Sequence, residues 1–130
     1  MGVRRIHYLG TIYDIETKVA LLKHAKIFVL PSKMEVFPLS VLEAMLQGVP
    51  TITISSGCLP EVIDNGINGF LCRHKSDFEK YIKVLIEDDN LRKRIGLKAR
   101  EKIRERFLLS KVKKKLIQIY KETMELSENE

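Results

Sequence analysis

Cysteine is scarce in this 130-residue sequence, and its spacing carries little information. The two cysteines, Cys58 and Cys72, form neither a CxxC pair nor a spacing typical of metal ligands. This pattern argues against a disulfide framework and against a zinc module built on cysteines. We therefore expect two incidental thiols in a reduced protein, with no metal and no other cofactor.

Long hydrophobic runs are also missing. The longest apolar segment, residues 38–45, is interrupted by Ser40 and Glu43, so it falls short of a transmembrane helix. The sequence also lacks the charged start and following apolar run of a secretory signal. We therefore expect a cytoplasmic protein, for which any membrane contact would be peripheral.

Positive charge is abundant, but one part of the chain carries it. The chain has a formal net charge of +6, whereas residues 91–121 hold thirteen basic and two acidic side chains, a net charge of +11. Such a run is usually the solvated face of helices, but it can also face anionic lipid or nucleic acid. Because only Phe107 and Tyr120 are aromatic there, nucleic acid is the less favoured partner.

Short runs of Ile, Leu and Val alternate with helical patterns in the first half of the chain. Runs at 6–9, 27–30 and 51–54 predict strands, and a weaker run at 70–72 predicts a fourth. Helices are predicted over 14–24, with Asp14 as the N-cap, and over 38–47, with one helical turn at 60–64. This alternation predicts an α/β fold with a parallel sheet of about four strands and flanking helices.

After residue 76 the apolar period is helical throughout, which predicts a helical C-terminal tail. We therefore expect one partial domain over residues 1–130. Its α/β part spans residues 1–75, its helical part spans 76–126, and residues 127–130 form a frayed tail.

The segment 31–45 runs from the carboxyl end of a predicted strand into a predicted helix. In open α/β sheets ligands bind at this edge. The first N–H groups of a helix have no partner within the helix and attract anions. The amides of Leu39, Ser40 and Val41 are therefore candidates to bind a phosphate.

Glu43 lies in a helix that is apolar nearly all round, a pattern typical of a buried helix. A buried carboxylate is costly unless it has hydrogen-bond donors, and the hydroxyls of a sugar or ribose would supply them. Alternatively, Glu43 caps a neighbouring loop or reaches solvent. The residue pattern leaves both readings open.

Several short motifs follow one another along the first part of the chain. Glu35 and Glu43 are separated by seven residues within LPSKMEVFPLSVLEAM, and HYLG, AKIFVLPS, GVP, SSGCLPEVI and DNGINGFL surround them. Together these motifs resemble the retaining glycosyltransferases with two Rossmann-like domains (GT-B architecture), of the group 1 or family-four type. The resemblance extends over roughly the first 75 residues and points to the nucleotide-sugar-binding C-terminal domain.

The resemblance implies a role for each residue of the segment. Glu35, the expected catalytic residue, would bind hydroxyls of the donor sugar, and Glu43 would bind the ribose hydroxyls. The backbone of Phe37, Pro38 and Leu39 would contact the sugar, and the amides near Ser40 and Val41 would hold a phosphate. Val36, Pro38 and Cys58 stand where the family usually has glycine, which leaves the identity of the sugar open.

The resemblance also implies that this is a truncated domain. The family has two further strands and a diphosphate-binding segment that we do not find before Arg4, and an entire first domain. Family strand order would place the missing strands between the first and second strands predicted here. The first strand must then pair directly with the second, pair with another chain, or be poorly ordered. We therefore expect self-association or a partner chain.

The expected activity is transfer of a hexose from a nucleotide-sugar to an acceptor hydroxyl with retention, and no activity without the missing N-terminal domain. One alternative is a basic module that binds anionic membrane or nucleic acid. Another is a vestigial, inactive domain that still dimerises.

Overall fold

Three short parallel strands form the centre of the fold in this computed structural model, which describes residues 5–127. They are β1 (Phe28–Leu30), β2 (Thr51–Ile54) and β3 (Phe70–Cys72), in the order β1-β2-β3. Val29 is in register with Ile52, which is in register with Phe70. The prediction of an α/β fold with a parallel sheet is confirmed, and the strands at 51–54 and 70–72 have the predicted bounds.

Six helices accompany the sheet in the described chain. Asp14 caps the first as predicted, because its side chain accepts a hydrogen bond of 2.7 Å from the Thr17 amide. The helices are α1 (Ile15–His24), α2 (Leu39–Leu46), α3 (Leu59–Val62), α4 (Lys75–Glu87), α5 (Asp89–Arg106) and α6 (Leu109–Ser127).

The strand predicted at 6–9 does not form, so the sheet has three strands rather than about four. The Tyr8 side chain is 95% exposed, and within residues 5–127 β1 pairs with β2 alone. A strand needs a neighbour for its backbone groups and a covered face for its side chains. Residues 6–9 meet neither condition, because they do not pair with β1 and their side chains are exposed.

The two faces of the sheet pack against different sets of helices. One core contains Val41, Met45, Leu59, Val62, Ile63, Ala99 and Ile103, and the other contains Ile52, Phe70, Cys72, Leu85 and Ile95. Because α5 supplies residues to both cores, it holds the two faces together.

One side of α4 packs against the sheet. Leu85 is fully buried and the Tyr81 ring stacks on Phe70 with centroids 4.2 Å apart. Burial there also raises the pKa of the Cys72 thiol to about 11, with a contribution from the nearby Asp77 charge. Cys72 is therefore a protonated core residue at neutral pH.

Helices α2 and α5 approach each other at two glycines. A Cβ atom on Gly96 would overlap the carbonyl oxygen of Gly48, which ends α2 in the left-handed conformation. Arg100 donates to the carbonyls of Leu46 (3.1 Å) and Gln47 (2.7 Å), which closes the C-terminal end of α2. The position of α2 therefore depends on α5.

Gly96→Ala should destabilise the fold, because the new methyl group meets a backbone carbonyl that cannot move independently. Overpacking of this kind costs about 1–3 kcal/mol, partly offset by ~1 kcal/mol of helix propensity. Urea denaturation should show the loss, with Lys93→Ala on the exposed face of α5 as control. Equal free energies of unfolding for the two variants would contradict the close approach.

Candidate functional site

The parallel pairing of β1 and β2 places two loops at one edge of the sheet. Loop 31–38 follows β1 and leads into α2, and loop 55–58 follows β2 and leads into α3. Ligands of open α/β sheets bind at this edge. The structure thus puts the predicted segment 31–45 where a ligand-binding segment belongs.

Gly57 brings these loops into direct contact. Its φ is +55°, and a Cβ atom there would overlap the carbonyl oxygen of Glu35. Only glycine fits both the conformation and the space. The backbone that carries Glu35 is therefore fixed against the loop after β2, and the Glu35 side chain is partly exposed.

The N-terminal end of α2 leaves donors available at the same edge. The N-cap residue, Pro38, has no side-chain acceptor, so it does not cap the amides of Leu39 and Ser40. The Val41 amide donates to the Pro38 carbonyl at 3.1 Å, and the Val41 side chain is fully buried. Of the three predicted phosphate-binding amides, those of Leu39 and Ser40 are the better placed.

An unpartnered hydroxyl lies beside these loops. The Oγ atom of Ser56, next to Gly57, is buried without a hydrogen-bond partner among the described residues, as is Thr53 Oγ1 in β2. The predicted contact residues Phe37 and Pro38 line a small cleft with Cys58. Phe37 is half-exposed, so its ring can contact a ligand.

Of the readings left open for Glu43, the structure agrees with the one in which the side chain reaches solvent and not with burial. The buried side chains of α2 are Val41, Ala44 and Met45, whereas the Glu43 side chain is 40% exposed. Water therefore reaches the carboxylate, so burial does not by itself require a ligand for it.

Glu43 also has a partner that the sequence did not reveal. Lys18 Nζ, on α1, lies 2.9 Å from Glu43 Oε1. Twenty-five positions separate the two residues, and no motif links them, so the pair emerges only from the packing of α1 near α2. It leaves the second carboxylate oxygen, Oε2, open to other donors.

Part of the basic run is structural. Arg100 closes the end of α2, Arg92 donates to the Leu85 carbonyl at 2.6 Å, and Lys102 pairs with Asp64 at 2.8 Å. Most of the remaining basic residues of α5 and α6 are exposed, which agrees with the solvated-face reading for most of the run.

Two absences within residues 5–127 bear on the class of site. No three His, Cys, Asp or Glu side chains there come together as a metal site. None of the described helices is long and apolar enough to cross a membrane.

Comparison with known protein families shows which family the chain belongs to. The model of the family described as "Glycosyl transferases group 1" matches residues 3–102. The chain belongs to this family. The resemblance inferred from the glutamate motif and its flanking segments is thereby confirmed.

Two curated relatives show how far the similarity extends. The chain is 44% identical over 91 residues to N,N'-diacetylbacillosaminyl-diphospho-undecaprenol alpha-1,3-N-acetylgalactosaminyltransferase of Campylobacter jejuni, covering 67% of this chain and 23% of the relative. It is 33% identical over 127 residues to N-acetyl-alpha-D-glucosaminyl L-malate synthase of Bacillus anthracis, covering 96% and 32%. The chain thus spans about a quarter to a third of these relatives.

A solved structure shares the fold. A point mutant of TarM from S. aureus, crystallised with fondaparinux, alpha-GlcNAc-glycerol and UDP, superposes with a TM-score of 0.70 at 28% identity. The match covers 80% of this chain and 22% of TarM. The Rossmann-like reading of the sheet is therefore supported by a known three-dimensional structure.

Gly57→Ala should displace the loop that carries Glu35. Gly66→Ala is a matched control, because Gly66 also has a positive φ (+80°) but nothing lies within 4 Å of its added Cβ. Both variants bear a left-handed alanine, costing about 1–2 kcal/mol, and Gly57→Ala should lose about 1–3 kcal/mol more. Urea denaturation and the amide shifts of residues 33–37 report the difference. Matching losses and unchanged amide shifts at 33–37 would refute the contact.

Proposed function

We propose that this chain is the nucleotide-sugar-binding part of a retaining glycosyltransferase. The observation that carries the proposal is that the Glu35 loop and the uncapped amides of Leu39 and Ser40 lie at one sheet edge, on the segment that continues along α2 to Glu43. A nucleoside-diphosphate sugar needs these groups: acceptors for hydroxyls and donors for phosphate.

Each group then has a defined task. Glu43 accepts hydrogen bonds from the two ribose hydroxyls, and Glu35 accepts from hydroxyls of the sugar. The Leu39 and Ser40 amides, at the positive end of α2, bind phosphate oxygens. Phe37 and Pro38 contact the sugar. UDP bound to the related TarM supports a nucleoside diphosphate as the ligand class.

In the proposed reaction, the oxygen of an acceptor hydroxyl bonds to the anomeric carbon. The bond from that carbon to the diphosphate oxygen breaks, the nucleoside diphosphate leaves with that electron pair, and the hydroxyl proton passes to the departing phosphate oxygen, with the anomeric configuration retained. The chain contributes by positioning the donor and by stabilising negative charge on the leaving phosphates. The residues described require no metal for these tasks.

The acceptor site belongs, in this proposal, to further residues of the kind that the longer relatives carry. Within residues 5–127 β1 pairs with β2 alone, and the Ile6, Tyr8 and Leu9 side chains are exposed; both observations support a covering region. We therefore expect binding of the donor by this chain and no transfer by it alone.

Glu43→Gln should weaken binding of UDP, GDP or ADP by about tenfold or more, because a neutral amide is a poorer acceptor for hydroxyls than a carboxylate. Isothermal titration or ligand-detected NMR measures the affinity. Glu79→Gln, an exposed glutamate on α4, is the control. If wild-type protein binds none of the three diphosphates, or Glu43→Gln binds as wild type does, the proposal fails.

The apolar stripe of α6 favours a second candidate, binding to an anionic membrane surface. Leu109, Val112, Leu116 and Tyr120 are exposed, and five lysines lie on the same helix: Lys111, Lys113, Lys114, Lys115 and Lys121. An apolar stripe flanked by lysines complements anionic headgroups above an acyl layer. This candidate is compatible with donor binding at the sheet edge.

Co-sedimentation with vesicles tests the second candidate. Binding should require phosphatidylglycerol in the phosphatidylcholine vesicles and should fall with salt, because screening weakens the lysine contacts. Leu116→Asp should reduce it severalfold, whereas Leu97→Asp on α5, at a similarly exposed leucine, should not. Equal loss with both variants, or equal binding to neutral vesicles, would rule this candidate out.

A further inference from the structure

The Lys18–Glu43 pair is the described side-chain hydrogen bond that ties α1 to the rest of the structure. Within residues 5–127, the other side-chain bonds of α1 are local: Asp14 with Thr17 and His24 with the Ala20 carbonyl. None of the α1 side chains is buried. One described side-chain contact thus joins α1 to α2, and that contact falls on the second motif glutamate.

The Lys18–Glu43 ion pair contributes little to the stability of the fold. Its two side chains are 38% and 40% exposed. Ion pairs at such positions contribute little to folding, because water screens them and ordering two long side chains costs entropy. Removal of Lys18 should therefore leave the free energy of unfolding nearly unchanged.

The geometry of the pair bears on the orientation of the Glu43 carboxylate. Lys18 Nζ engages Oε1 at 2.9 Å, which restricts the rotation of a carboxylate that has no other described hydrogen-bond partner. Oε2 and the remaining lone pairs of Oε1 stay available to hydroxyl donors. An acceptor held in one orientation binds a vicinal diol more tightly than a freely rotating one, because the ordering cost is met before the ligand arrives.

We propose that Lys18 is a positioning residue for Glu43, and that through this pair α1 controls the affinity of the chain for the ribose of its nucleotide. The inference rests on the proposed donor-binding function. It adds to that function a residue outside the glutamate motif and an element outside the segment 31–45.

The test compares ligands with and without ribose hydroxyls. Affinities of UDP, GDP and ADP, and of their 2′,3′-dideoxy counterparts, are measured for wild type, Lys18→Met, Lys18→Arg and Lys23→Met. Lys23 lies in the last turn of the same helix and is exposed, so it controls for loss of one positive charge on α1. Thermal unfolding of each variant reports any damage to the fold.

Lys18→Met should bind the ribose-containing diphosphate about threefold more weakly than wild type, whereas affinity for the dideoxy analogue should be unchanged. Lys18→Arg, which retains a donor for Oε1, should restore most of the affinity. Lys23→Met should behave as wild type. Combining Lys18→Met with Glu43→Gln should add little to Glu43→Gln alone, because both variants remove the same contact.

Three results would overturn the inference. An unchanged affinity of Lys18→Met, with Glu43→Gln still impaired, would remove Lys18 from the site and leave the proposed function intact. An equal loss for ribose and dideoxy ligands would show that Lys18 binds phosphate directly or supports the fold. Absence of diphosphate binding by wild type would reject the proposed function and the inference with it.

Discussion

The parallel pairing of β1 with β2 is the constraint on which the site depends. Parallel strands end at the same edge, so the loops that follow them must meet there. Here the meeting is close: Gly57 leaves no room for a side chain against the Glu35 carbonyl. The same pairing starts α2 at that edge, with its uncapped amides facing the space beyond the strands. One backbone arrangement thus places both motif-bearing segments, and the side chains only complete the site.

Helix α5 fixes the opposite end of α2. Gly96 lets α5 reach the Gly48 carbonyl, and Arg100 then binds the last carbonyls of α2. Positive charge at a helix C-terminus is favourable, because it meets the negative end of the helix dipole. Basic residues such as Arg100 and Arg92 therefore serve the fold, whereas the lysines of α6 are exposed. Which residues of a charge run are structural becomes evident only when their contacts are known.

Local signals predicted most of the fold. The strands at 51–54 and 70–72, the Asp14 cap and the glycine after α2 follow from nearby residues, so the sequence reveals them. The prediction of a strand at 6–9 was wrong because an apolar run becomes a strand only beside a partner, which no local pattern encodes. The reading in which Glu43 is buried was wrong for a related reason: an apolar helix is covered only if something packs on every side. Lys18 could not be found at all, since the pair depends on how α1 lies against α2.

The exposure of Glu43 changes the physical argument for its role without weakening it. A buried carboxylate would bind hydroxyls because it lacks any other partner, and it would burden the fold whenever the ligand is absent. A half-exposed carboxylate with a lysine partner carries no such burden. Ligand binding is then favoured because the carboxylate is already oriented, and not because the ligand relieves the cost of desolvating it. Since an exposed ion pair is weak, Lys18 orients the carboxylate without adding much to the stability of the free chain. Such a pair does not oppose release of a bound nucleotide, which the proposed transfer requires after each turnover.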